Sequence, residues 1–119
     1  MAARPHCPPL RQLLRRLRKH APVPYPVRVV YRKRPTMFLE GKVQSVHGYT
    51  RVIRTTTHKP VRFRIVLDSR FSREHQWDVL VHEWAHVLDR TRRGQRLKDC
   101  HDSRWGAAYS RAFKASVTT

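Results

Sequence analysis

Apolar residues recur along this chain with two periods, and the switch between them divides it into elements. From Leu10 to His20 the apolar positions are Leu10, Leu13, Leu14 and Leu17, the i, i+3, i+4, i+7 spacing of one helix face. The other faces carry Arg11, Arg15, Arg16, Arg18 and Lys19. The pattern predicts a surface helix docked by its leucines, with a basic face open to phosphate. Pro22, Pro24 and Pro26 end it and impose an extended link. Three stretches of strand character follow: Val27 to Tyr31, Val43 to Ile53 with a break at Gly48, and Val61 to Leu67. In the last, Val61, Phe63 and Ile65 alternate with Arg62 and Arg64. A three-stranded sheet, at least partly antiparallel, is expected.

After Leu67 the period changes to that of a helix. Ser72 suits its N-cap and Glu74 its first turn, and the helix is expected from about Arg73 to about Arg92. Gly94 suits its C-terminal cap, with Arg90, Arg92 and Arg93 in the last turn. A loop from Gln95 to Cys100 leads to a last helix capped by Asp102 or Ser103. Its apolar face is Trp105, Ala108, Tyr109, Ala112 and Phe113. Helix, strands, helix, helix is an α+β order. Residues 1–9 hold three prolines and are expected as a flexible tail, and residues 10–116 as one domain.

The long helix contains His82-Glu83-Trp84-Ala85-His86. Four residues along a helix advance about 6 Å and nearly complete a turn, so the two histidines project side by side and can share one ion. Glu83 is placed to reach a water on that ion without taking a ligand position. Trp77, Leu80, Val81, Trp84, Val87 and Leu88 supply the apolar surface that would hold the helix in a core. The plain alternative is two surface histidines and a salt-bridging glutamate.

A catalytic zinc of this type keeps three protein ligands and one open position. No Glu follows Glu83, which excludes a downstream Glu ligand. A compact His-x-x-Gly-x-x-His continuation is also excluded, because positions 89 and 92 are Asp89 and Arg92. His101 is the one histidine left downstream. Seven residues from Gly94 can span about 23 Å, more than the roughly 12 Å of helix to be retraced. The plain alternative for His101 is a capping or surface residue. Asp89, one turn after His86, could orient a ligand or pair with Arg92 or Arg93. Tyr109 is either an oxyanion donor or a core aromatic. His75 reads as a surface histidine.

The pattern His82-Glu83-Trp84-Ala85-His86, fourteen residues, then His101 resembles the SprT-like family, which includes the Spartan proteases that cut proteins crosslinked to DNA. The resemblance covers roughly Leu10 to Ala115, and His101 to Tyr109 is similar to the family's third-ligand segment. It implies a zincin-like minimal domain with Zn2+ on His82, His86 and His101. Glu83 would be the catalytic acid/base of a zinc metalloendopeptidase. Two departures stand out: Asp102 follows the third histidine where the family usually has Gly, and the C-terminal zinc ribbon of many members is missing.

Charge extends this picture. There are 26 Lys and Arg against 8 acids, a formal net charge of +18, and ten basic residues precede the first acid, Glu40. Such a chain is drawn to polyanions, so nonspecific nucleic-acid contact is expected beside a protein substrate. The competing reading is a basic nucleic-acid-binding module with a structural or vestigial zinc; Glu83 speaks against it, because a structural site needs no base. Two cysteines, Cys7 and Cys100, cannot build a disulfide framework or a four-cysteine zinc site. With no membrane span and no secretory signal, an intracellular, cytoplasmic monomer is expected, of a size that suits a bacterial or phage protein. A Cys7 thiolate on the open zinc position would make a latency device; a tail thiol without function is the plainer reading.

Overall fold

The computed structural model describes residues 8–54, 60–93 and 101–119. It is an α+β fold of three helices, a three-stranded sheet and a separate two-stranded hairpin. Helix α1 spans Leu10–His20, strands β1 Val27–Arg32, β2 Thr36–Leu39, β3 Lys42–Ser45, β4 Gly48–Arg54 and β5 Pro60–Asp68, then helices α2 Arg73–Arg93 and α3 Ser103–Ser116. The tail expectation, apart from Pro8 and Pro9, and Cys7, Gly94 and Cys100 lie outside the described residues. No helix among the described residues is long and apolar enough to cross a membrane.

Helix α1 docks as its leucines require. Leu13 and Leu17 are fully buried, and Leu10 and Leu14 pack against the same core. Two of its basic residues are used inside the molecule. Arg18 donates to the Val27 carbonyl at 2.8 Å, and Arg16 donates to the Ser116 carbonyl at 3.0 Å, tying α1 to β1 and to the end of α3. Pro8, just before the helix, accepts from Trp77 Nε1 at 3.0 Å.

The main sheet is three-stranded and partly antiparallel, as expected, but one stretch divides differently. The stretch Val43 to Ile53 is two strands, because the chain turns between Ser45 and Gly48, and β3 pairs backward with β2 rather than joining the main sheet. The main sheet has the order β1-β5-β4, with β1 parallel and β4 antiparallel to β5. In β5, the central strand, consecutive Ile65, Val66 and Leu67 are all buried, while Arg62 nearer its start is exposed.

Helix α2 lies between this sheet and the other two helices. Leu80, Val81, Trp84, Ala85, Val87 and Leu88 are buried, and the Trp84 indole donates to the Ala21 carbonyl at 2.8 Å. Its start is fixed by polar contacts. Ser72 Oγ accepts from the His75 amide at 3.2 Å, as expected of the N-cap. The buried Asp68 at the end of β5 accepts from the Arg70 amide at 3.0 Å and from its guanidinium at 2.7 and 3.1 Å. The Arg70 hydrogen bonds hold the Asp68 carboxyl down at about 2, and its charge adds to the effect.

Gly48 opens β4 at a close contact with α2. A Cβ there would stand 2.6 Å from Val79 Cγ1 and 2.7 Å from the Val66 carbonyl oxygen. Only glycine lets β4 run this close to α2.

Candidate metal centre

The three histidines singled out by spacing come together. His82 and His86 sit one turn apart on α2, with their Nε2 atoms 3.1 Å apart, and His101 Nε2 is 3.1 Å from His86 Nε2. The potential ligand atoms of all three lie within 4.8 Å of one another. A tetrahedral ion with bonds of about 2.0–2.1 Å holds adjacent ligand nitrogens about 3.3 Å apart, so the donor set fits one metal ion. The group runs from core to surface: His86 is buried, His82 half-buried and His101 exposed. Among the described residues, these are the three that converge in this way.

The positions follow from local structure. The apolar residues of α2 fix the rotation of the helix and so aim His82 and His86. His101 is set by the start of α3. Asp102, its N-cap, accepts from the Trp105 amide at 3.1 Å. Behind it Ala108, Ala112 and Ala115 are buried, small residues that let α3 pack closely in the core. Phe113, expected on this face, is 52% exposed; Ala115 takes the inward place.

Trp105 belongs both to the expected apolar face of α3 and to the segment that resembles the family's third-ligand stretch. Its ring lies against all three histidines, with centroids 4.9 Å from His82, 5.4 Å from His86 and 4.5 Å from His101. Its Nε1 is buried with no hydrogen-bond partner among the described residues. The spacing i, i+4 from His101 to Trp105 was the available signal.

Glu83 is buried, 7% exposed, and its carboxylate accepts from Thr50 Oγ1 at 2.7 Å. Thr50 was not anticipated, although its position is derivable. It pairs with Ile65 across the β4–β5 ladder, in phase with Val52 opposite Phe63. Ile65 and Phe63 face the core, so Thr50 faces it too, and α2 lies there. A hydroxyl on an inward position of a strand beside the motif helix was the clue.

A cleft of about 600 Å³ opens over this wall, lined by His47, Gly48, Asp78, Val79, His82, Glu83 and Tyr109. Tyr109 is half-buried: it packs against the hydrophobic core and also lines the cleft, stacked on Trp105 at 5.2 Å between ring centroids. His75 is not an isolated surface residue. Its Nε2 is 2.9 Å from Nδ1 of the cleft residue His47, and Phe71 packs against both rings. Asp89 is buried on α2; the side chains of Arg92 and Arg93 lie outside the described residues. No protein-family model, curated protein or solved structure matches the chain.

Proposed function

We propose that this chain is a zinc-dependent metalloendopeptidase similar to the minimal SprT-like domain, with a polypeptide substrate and a nucleic acid as its second partner. The observation that carries the reading is the pairing of a convergent three-histidine group with a buried carboxylate, Glu83, at the wall of one open cleft. A site that only staples a fold has no use for a base held in this way.

His82, His86 and His101 would hold the ion. A zinc ion there supplies Lewis acidity, which lowers the pKa of a water toward about 7 and polarises a carbonyl. Glu83 takes a proton from the attacking water as the new C–O bond forms at the scissile carbon. The same carboxyl returns that proton to the amine nitrogen as the C–N bond breaks. Thr50 restricts the Glu83 carboxylate to one orientation through its 2.7 Å hydrogen bond. Tyr109, on the cleft lining, is the side chain suited to donate to the oxygen that gains charge. Asp78, on the same lining, favours substrates that present a cation.

The test is hydrolysis of an unstructured, fluorescently quenched peptide library by the zinc-loaded chain, without nucleic acid. Glu83→Gln should retain zinc and lose about 100-fold to 10,000-fold in kcat/KM. Equal activity in Glu83→Gln and wild type would refute the base assignment. A folded, zinc-loaded wild type with no turnover on any peptide would leave the basic binding module as the better reading.

A further inference from the structure

The β2–β3 hairpin has no part in the metal centre, yet it is rich in exposed apolar side chains. Among the described residues, the large hydrophobic ones left exposed are Tyr31, Phe38, Leu39, Val43, Phe113 and Val117. Three of the six belong to the hairpin, and Tyr31 lies on the approach to it. Phe38 is 71% exposed, and its cross-strand partner Val43 is 68% exposed. Among the described elements the hairpin packs on no other helix or strand.

Its shape is nevertheless well defined. Glu40 and Gly41 take φ of 51° and 81°, the two left-handed residues of a tight hairpin turn. Gln44 Nε2 donates to the Leu39 carbonyl at 3.0 Å, and the Val46 amide donates to the Pro35 carbonyl at 3.0 Å across the base. A two-stranded ribbon without a sheet or helix behind it is marginal in water. Exposed apolar residues on such a ribbon point to contact with something else.

The charge says what. Arg32, Lys33, Arg34 and Lys42 are all exposed along the hairpin and its approach, against the single carboxylate of Glu40. A second copy of this basic ribbon would be repelled. A bilayer-inserting loop buries its apex, and here the apex is Glu40-Gly41, with the apolar residues along the strands instead. Aromatic rings interleaved with cations are what unpaired bases on a phosphate backbone require: a π-face to stack on and charge to neutralise.

We infer that the β2–β3 hairpin is a docking element for single-stranded nucleic acid, with Phe38 as a base-stacking platform and Arg32, Lys33, Arg34 and Lys42 on the phosphates. This names the element behind the nucleic-acid partner in the proposed function. It does not depend on the chain being a peptidase.

The test is fluorescence anisotropy of the full chain with a labelled thymidine oligonucleotide, a duplex of equal length, and phosphatidylserine vesicles as competitor. Phe38→Ala should weaken single-strand binding about fivefold to 150-fold, change duplex binding less than about twofold, and leave the salt dependence alone. Phe38→Trp should restore binding. The triple change Arg32→Gln, Lys33→Gln, Arg34→Gln should lower the slope of log affinity against log salt by about 2. Removing the same charge from α1 (Arg11→Gln, Arg15→Gln, Lys19→Gln) should leave that slope in place. Phe38→Ala binding like wild type would overturn the inference, as would an α1 variant that loses as much as the hairpin variant. Phe38-dependent capture by the vesicles, with no effect on the oligonucleotide, would overturn it in favour of a membrane. Glu83→Gln should bind the oligonucleotide like wild type, so failure of the peptidase reading and failure of this contact are read separately.

Discussion

Helix α2 and the β2–β3 hairpin place their apolar side chains in opposite environments. On α2, Leu80, Val81, Trp84, Ala85, Val87 and Leu88 are all buried, enclosed by the sheet on one side and by α1 and α3 on the other. On the hairpin, Phe38, Leu39 and Val43 face solvent and pack on nothing else described. The enclosure of α2 converts an apolar sequence into angular precision: with no freedom to rotate, its polar trio His82, Glu83 and His86 is aimed. The hairpin keeps its shape through its turn and its own ladder, and its side chains stay available. One region uses apolar residues to fix a site, the other to offer a surface.

The sharpest way to break this comparison is to truncate one aromatic in each region. Trp84→Ala removes a fully buried ring and its hydrogen bond to Ala21, and should cost about 3–5 kcal/mol in urea unfolding. Phe38→Ala should change stability by less than about 0.5 kcal/mol. Similar losses at the two sites would show that the hairpin is packed after all.

Gly48→Ala probes the seam between β4 and α2. The added methyl meets Val79 and the immovable Val66 carbonyl, so about 1–3 kcal/mol of stability should be lost. Because β4 also carries Thr50, the proposed peptide hydrolysis should fall with it. A neutral result would mean that strand and helix separate without cost.

The smallest effect belongs to Asp68, whose partner Arg70 is 44% exposed and therefore screened by solvent. Hydrogen bonds from Arg70 lower the Asp68 pKa to about 2, below the ordinary value of about 4. The stabilisation is thus present above about pH 4, declines as pH falls toward 2, and is absent below. The melting-temperature gap between wild type and Asp68→Asn should narrow over that interval. A gap that stays constant from pH 5 to pH 2 would remove the ion pair from the account of how α2 begins.

The helices and the histidine group were legible because their signals are local or enumerable. Leucine spacing placed α1 at its observed bounds, Ser72 and the motif placed α2, and elimination left His101. The hairpin was not legible. Its turn is Glu40-Gly41, a weaker signal than Asn-Gly, and Val43 continues smoothly into the apolar alternation of β4. The parallel pairing of β1 with β5 joins residues more than thirty positions apart, for which no local pattern exists. Thr50, Trp105 and the His47–His75 contact are likewise products of packing between elements. Phe113 and Ala115 show the limit of helical periodicity: both fit an inward stripe, and only the shape of the neighbours decides which is buried.

The central claim is that histidines from α2 and from the start of α3 form one metal centre. Zinc counted by mass spectrometry on dialysed, zinc-loaded full chain tests it most directly. About one zinc per folded chain is expected in wild type and in Glu83→Gln, with most of it lost in His86→Ala and in His101→Ala. Zinc retained at the wild-type level by a folded His101→Ala chain, or no zinc held by folded wild type, would contradict it.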